Sequence, residues 1–336
     1  MAALITAPQA NCSTRFREIY QPGVLYKCSV NNQVCEEVEL YKEGNTEFKN
    51  GEEYTYHDLK NGSWLGVSLA VQPGGENFIV TCGHLWKNQR YNNIYLTNGI
   101  CYVIDRELNP NSVIKLAPFS RKSKQSIQEH KIYYHAFALG GFSAAYSEES
   151  YDFLLGAPGI YDWTGSVADF RTGKKTNDTT LVGIPMPPWN QDPSQQAYIG
   201  YSVTMGRFFE FGGELFVTGA PRDADNKGRV YIFDALSSFD PVFAVKAKKE
   251  GEQMGEYFGA VVLGINLNND RFTDLIVGAP LHSKESGGDE GKIYVYISDG
   301  VGLQNTEYTI MGSEKPNARF GSAIANAGDL NQDGYL

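Results

Sequence analysis

Three short phrases recur in a fixed order along this chain, and that recurrence limits its fold more than any other feature. One copy reads Ala197-Tyr-Ile-Gly-Tyr-Ser-Val203, then Gly213-Glu-Leu-Phe-Val-Thr-Gly-Ala-Pro221, then Gly228-Arg-Val-Tyr-Ile-Phe-Asp234. The next reads Glu256-Tyr-Phe-Gly-Ala-Val-Val262, then Thr273-Asp-Leu-Ile-Val-Gly-Ala-Pro280, then Gly291-Lys-Ile-Tyr-Val-Tyr-Ile297. Weaker copies flank them: Leu139-Gly-Gly-Phe-Ser143 leads to Phe153-Leu-Leu-Gly-Ala-Pro158, and Trp64-Leu-Gly-Val-Ser68 leads to Phe78-Ile-Val-Thr-Cys-Gly83, where Gly-Ala-Pro is lost. Leu4-Ile-Thr-Ala-Pro8 followed by Gly23-Val-Leu-Tyr26 is a copy without its first phrase, and Arg319-Phe-Gly-Ser-Ala-Ile324 opens one that stops at Leu336. Each unit holds three or four short apolar runs bounded by Gly, Pro, Asn or Asp, the pattern of a small antiparallel sheet. One such sheet cannot bury both faces alone; units of this size arranged radially make a β-propeller. Helical periodicity, which a solenoid or an α/β enzyme requires, is absent.

The bulk numbers agree. Hydrophobic residues make up 42%, charged residues 20% and aromatics 13%, with 36 glycines, which is the profile of a globular chain of many short strands. A formal net charge of −10 argues against nucleic acid as a partner, since such binding depends on Lys and Arg neutralising phosphates. No run approaches the roughly 18 apolar residues of a membrane helix, and Met-Ala-Ala-Leu-Ile-Thr-Ala-Pro lacks the charged and apolar regions of a signal peptide.

Of the five cysteines, Cys28 with Cys35 and Cys82 with Cys101 have spacings that suit local hairpin disulfides in an oxidising compartment, or scattered free thiols in a reducing one; Cys12 is left over. N-glycosylation triplets start at Asn11, Asn61 and Asn177. Catalytic motifs are not completed. Gly66-Val-Ser68, Gly141-Phe-Ser143 and Gly200-Tyr-Ser202 never extend to G-x-S-x-G, a nucleophile does not recur once per repeat, and the five histidines have no metal-ligand spacing. The chain is therefore expected not to be an enzyme.

The three-phrase unit resembles the FG-GAP repeat, seven copies of which form the propeller heading integrin α subunits. The resemblance runs from the second half of a first repeat into a sixth, and includes Gln21-Pro-Gly-Val-Leu-Tyr-Lys-Cys28 with its cysteine loop, Trp64 before a glycine, and Glu252-Gln-Met254 before Tyr257-Phe-Gly259. It implies an all-β, seven-bladed propeller of four-stranded antiparallel blades, here incomplete and cut at both ends, with no inserted domain. The blades divide as 1–50 (blade 1, second half), 51–117, 118–185, 186–245, 246–308, and 309–336 (start of blade 6). It further implies disulfides Cys28–Cys35 and Cys82–Cys101, an integrin β subunit as heterodimer partner, an extracellular-matrix or cell-surface protein as ligand, and a place at the cell surface, anchored only through a C-terminal segment outside this sequence. In the family an arginine of β enters the propeller axis through rings of aromatics, and Phe142 and Tyr201 match that cage, with Trp64 nearby; Ala260 breaks the pattern in blade five. Acidic residues that hold the arginine of Arg-Gly-Asp ligands have no counterpart in Gln195-Gln-Ala-Tyr198 or Lys131-Ile-Tyr-Tyr134, so weak or absent Arg-Gly-Asp binding is expected. The alternatives are the propeller of a glycosylphosphatidylinositol-specific phospholipase D, whose catalytic domain would lie elsewhere, and another FG-GAP binding module.

Two hairpins carry calcium chemistry. Calcium takes six to eight oxygens, and Asn266-Leu-Asn268-Asn-Asp270-Arg-Phe272-Thr-Asp274 offers side chains at alternate positions plus the Phe272 carbonyl. Asp329, Asn331, Asp333 and the Tyr335 carbonyl begin the same pattern. An EF-hand is excluded because position 12 from Asn266 is Val277 and the flanks are strands. The corresponding stretch of blade four, Arg207-Phe-Phe-Glu-Phe-Gly-Gly-Glu-Leu215, has Arg, Phe and Leu at the ligand positions, and no calcium is expected there. The ion would be structural, tying down the hairpin.

Overall fold

The computed structural model describes residues 2–12, 15–50, 54–73, 78–91, 94–120, 125–127, 130–132, 134–188, 193–235, 243–284, 287–304, 308–329 and 331. Five antiparallel sheets follow one another along the chain as the blades of an incomplete β-propeller. The first has three strands, Ala2–Ala7, Val24–Ser29 and Cys35–Glu37. The other four are four-stranded meanders. Blade two comprises Ser68–Val71, Ile79–Gly83, Ile100–Ile104 and Ile114–Leu116; blade three, Ala144–Tyr146, Asp152–Ala157, Ser166–Arg171 and Thr180–Gly183. Blade four is built from Ser202–Gly206, Leu215–Ala220, Arg229–Ala235 and Phe243–Glu250; blade five from Val261–Ile265, Asp274–Ala279, Lys292–Tyr296 and Thr309–Met311. The outer strand of blade four, Phe243–Glu250, crosses the division at 245 drawn from the sequence, and that of blade five, Thr309–Met311, lies wholly after the division at 308.

Each central strand reads as an unbroken apolar run because both faces of its sheet are covered, a pattern seen wherever a sheet is sandwiched. Phe153 and Leu155 point toward blade two, where they join Phe78, Val80 and Val103. Leu154, one residue out of phase, points toward blade four and meets Val203, Met205 and Phe233. Val217 and Ile232 pack on Leu275, Val277 and Tyr294 at the next seam, and Leu25 packs on Leu65, Ile79 and Tyr102 at the first. The core is thus a set of layers between blades, and alternation in one strand serves two layers.

The glycines of the repeat are what let these layers close. At five successive seams the residue before an opening glycine donates its N–H to the carbonyl just ahead of the previous blade's third-phrase glycine: Leu65 to Pro22 (2.8 Å), Gly140 to Asn98 (3.0 Å), Ile199 to Thr164 (2.9 Å), Phe258 to Lys227 (3.3 Å) and Phe320 to Glu290 (2.9 Å). A β-carbon on the third-phrase glycine would enter the seam; at Gly228 it would stand 2.1 Å from the Phe258 carbonyl oxygen. The glycine of Gly-Ala-Pro is constrained in the same way, since a β-carbon at Gly219 would lie 1.9 Å from the Gly259 oxygen. Nearer the axis, Ser68, Ser143 and Ser202 donate their hydroxyls to the opening glycines of the following blades, Gly141 (2.7 Å), Gly200 (3.0 Å) and Gly259 (2.8 Å). The serines of the incomplete G-x-S motifs are therefore fasteners between blades.

Both expected disulfides are formed, Cys28–Cys35 and Cys82–Cys101, each joining directly opposed residues of neighbouring strands. By register Cys82 stands opposite Ser68 as Gly219 stands opposite Ser202, so the cysteine occupies the place of a Gly-Ala-Pro glycine. Gly141 of blade three rests on this disulfide. Cys12 is a half-buried free thiol 3.5 Å from the Tyr41 hydroxyl.

Candidate functional site

The innermost strands of blades two to five stand side by side around the axis. Where the chain enters them, the residue two before the opening glycine takes the left-handed conformation: Trp64 (φ 55°), Leu139 (52°), Tyr198 (62°), Tyr257 (63°) and Arg319 (49°). Non-glycine residues seldom adopt this region, and here it recurs once per blade. It turns the backbone so that side chains on either side of the glycine face one another across the seams.

The outcome is a continuous row of rings. Trp64 meets His84 edge-on (centroids 6.1 Å), His84 meets Phe142 (5.2 Å), Phe142 meets Tyr201 (4.7 Å), and Tyr201 meets Tyr257 (5.4 Å). The sequence-derived residues Trp64, Phe142 and Tyr201 all fall in this row. Trp64 does so from a different slot, equivalent to Tyr198 and Tyr257 and not to Phe142. Ala260 leaves a gap after the blade-five glycine, and Tyr257 supplies the ring there instead. Two members, His84 and Tyr257, were missed by sequence reasoning. For Tyr257 a signal existed in the repeated aromatic-x-Gly of Trp64-Leu-Gly66, Tyr198-Ile-Gly200 and Tyr257-Phe-Gly259. Burial pushes the Tyr201 and Tyr257 hydroxyls up, the latter to about 12, so both stay protonated. Beside the row, the Arg222 guanidinium lies 5.0 Å from the Tyr198 ring centre and donates from Nη1 to its hydroxyl at 2.9 Å.

The blade-five hairpin brings three of its predicted ligands, Asn266, Asn268 and Asp270, into contact. Asp270 accepts from the Phe272 N–H at 2.6 Å and from the Asn268 amide at 2.8 Å, while its own N–H donates to the side-chain oxygens of Asn266 and Asn268, both at 3.2 Å. The Asn266 amide also bonds the Asp270 carbonyl. Asp274 is fully buried and accepts from Leu267 N–H (2.8 Å) and Ser298 N–H (2.9 Å). Burial raises its pKa above the usual carboxylate range, against the pull of those two donors, and the Asp270 charge adds to the rise. The Phe272 ring is buried and packs against Gly300, anchoring the loop. This donor set is all oxygen, two carboxylates and two amides, which fits a hard cation. Among the described residues no group of three or more His, Cys, Asp or Glu is placed to hold a metal. Of the second hairpin, Asp329 and Asn331 are described, whereas Asp333 and Tyr335 lie outside the described residues. In blade four the Arg207 guanidinium takes the loop's first position and clamps Glu149 of blade three through two bonds of 2.9 and 2.7 Å. Arg271 of blade five reaches back to Glu210 at 2.7 Å. Asn11, Asn61 and Asn177 are all exposed.

The blades, their glycine-sealed seams and the hairpins define an FG-GAP-type β-propeller, and the FG-GAP repeat family matches residues 258–296. The chain is 31% identical over 338 residues to Integrin alpha-4 of Xenopus laevis, covering 99% of this chain and 30% of that protein. It is 32% identical over 374 residues to Integrin alpha-PS3 of Drosophila melanogaster (99% and 32%), and 30% identical over 353 residues to Integrin alpha-8 of Gallus gallus (100% and 31%). Over 99% or more of its length the chain is similar to these integrin α subunits, and it spans about a third of the length of these relatives.

Proposed function

We propose that this propeller is the ligand-binding head of an adhesion receptor, pairing with an integrin β subunit to bind an extracellular-matrix or cell-surface protein. The observation that carries the reading is the aromatic row at the axis. Five rings from four blades, with no charged group among them, suit a cation inserted by the partner, each face contributing about 0.5–2 kcal/mol. Pairing at that end leaves ligand to bind across the seam between the subunits. The reading also places the chain at the cell surface, with glycans on Asn11, Asn61 and Asn177. No helix among the described residues is long and apolar enough to cross a membrane.

Calcium belongs to the reading as a structural ion. Asn266, Asn268, Asp270 and Asp274 with the Phe272 carbonyl would hold it in blade five, and Asp329, Asn331, Asp333 and the Tyr335 carbonyl in blade six. The ion would supply charge to neutralise the carboxylates and fix the hairpins. Arg-Gly-Asp ligands are disfavoured, because neither Gln195-Gln-Ala-Tyr198 nor Lys131-Ile-Tyr-Tyr134 carries an acid to hold the ligand's arginine.

Co-expression of the full chain with an integrin β ectodomain tests the pairing. The native chain should be secreted as a heterodimer, and Phe142→Ala with Tyr201→Ala should reduce the heterodimer while leaving the fold intact. Undiminished assembly by that variant would refute the axial interface. Tight binding of an Arg-Gly-Asp peptide through the α chain would refute the ligand preference.

A further inference from the structure

His84 is the one member of the row that can hydrogen-bond through its ring nitrogens as either donor or acceptor, and it is 7% exposed. Its Nδ1 is buried without any partner among the described residues. Buried side-chain nitrogens are normally paired, and an exception calls for an explanation. The ring sits edge-on between Trp64 and Phe142, at interplanar angles of 71° and 81°. Its position in the chain is set by the loop after Cys82 and Gly83, and Gly83 is itself pressed against the Ser63 carbonyl, where a β-carbon would lie 2.8 Å away. The imidazole is thus held in the row by backbone packing on one side and rings on the other.

We propose that His84 is the hydrogen-bond acceptor of the axial cage, its Nδ1 taking an N–H from the cationic side chain that the β subunit inserts. The proposal rests on the pairing argued above and adds a specific polar contact to it. Arginine and lysine present donors and no acceptor, so the nitrogen that meets such a group must carry a lone pair and the ring proton must sit on Nε2. A protonated imidazole would repel the same cation. Burial alone holds the ring's pKa down to about 4, so it is neutral at physiological pH. In the unpartnered chain the nitrogen is covered, and the incoming side chain reaches it through a rotamer-scale shift of the rings, a change common at interfaces. Aromatic faces attract a cation without directing its hydrogens; one acceptor within the row fixes where its N–H points.

The test uses the full chain co-expressed with an integrin β ectodomain. His84→Phe keeps the row aromatic and removes the acceptor, His84→Gln restores an acceptor, and Phe142→Ala breaks the row. We expect the heterodimer to dissociate about tenfold more readily with His84→Phe, consistent with the loss of one hydrogen bond to a charged group, and to recover most of that with His84→Gln. In a double-mutant cycle, replacing the partner's inserted cation by methionine should abolish the effect of His84→Phe. Native-like affinity for His84→Phe beside a weakened Phe142→Ala overturns the role of His84 and leaves the cage standing. If neither variant weakens assembly, the cage itself falls. Should His84→Phe fail to fold, the native heterodimer decides: a histidine 15N spectrum in which the Nδ1 resonance moves to a hydrogen-bonded acceptor value on assembly supports the proposal, and an unmoved resonance overturns it.

Discussion

Asp169 lies in the third strand of blade three, on the face turned toward blade four, opposite Leu154 in the strand before it. It is 5% exposed, and its Oδ1 has no hydrogen-bond partner among the described residues. Arg171, two residues on, is committed to Asp152 through bonds of 2.9 and 3.4 Å. Burial first, and the Asp152 charge second, push the Asp169 carboxyl from 3.8 to about 7. In the unfolded chain it loses its proton near 3.8, while the folded chain keeps it to about 7. Between those values the native state binds more protons, so stability falls as pH rises through the window and the loss is complete above it. A rise of that size sets a ceiling of roughly 4 kcal/mol on the loss. Asp169→Asn cannot ionise, but it leaves an amide with the same shortage of partners, at a cost of about 1–3 kcal/mol. The variant should therefore be more stable than the native chain by about 1–3 kcal/mol at pH 8 and lose that advantage, or fall below the native chain, at pH 4.5. Urea denaturation of the full chain at pH 8, 6.5 and 4.5 measures the difference. An Asn variant whose stability differs from native by the same amount at all three values would refute the reasoning, because it would mean that Asp169 titrates normally in the fold.

Three other perturbations probe the seams, the disulfide and the hairpin. Gly219→Ala puts a β-carbon 1.9 Å from the Gly259 oxygen, and should cost about 4 kcal/mol or more and abolish secretion; a secreted variant melting like native would show that the seam can open. Removing the Cys82–Cys101 bridge with Cys82→Ala and Cys101→Ala should lower stability by about 3 kcal/mol, the value expected for a loop of this separation, read as a shift in denaturant midpoint and contradicted by an unchanged one. Calcium at a hundred times its dissociation constant for the blade-five hairpin should stabilise the native chain by about 2.7 kcal/mol through that hairpin. Asp270→Ala should lose most of that shift after chelation and re-addition, whereas an equal shift in both proteins would remove blade five as the site.

The repeat made the blades legible because a strand's apolar run and its terminating Gly or Pro are local signals. What the glycines do was not legible in the same way. Gly-Ala-Pro reads as a strand terminator on account of its proline, yet Gly219 is constrained by the carbonyl of Gly259, a residue in the following blade. The blade-two phrase that lacks Gly-Ala-Pro has exchanged the glycine for Cys82, and its disulfide now meets Gly141 where a bare backbone would otherwise do so. Local pattern identifies the glycine; only the neighbouring blade supplies its reason.

The same division explains the site. The calcium-type hairpin could be proposed from the sequence because its donors lie within nine consecutive positions, and the structure sets the Asn266 and Asn268 side chains against Asp270. The axial row draws each ring from a different seam, so sequence spacing could identify only members that repeat in register, such as Phe142 and Tyr201. His84 repeats nowhere and belongs to no ligand spacing, and it becomes visible only when Trp64 and Phe142 close on its two sides. A residue that departs from the repeat while standing at the point where repeats converge has been freed from the repeat's packing role. In a propeller built from near-copies, such departures at the axis are where a specific contact can be added without disturbing the seams, and the unpaired nitrogen of His84 has that placement.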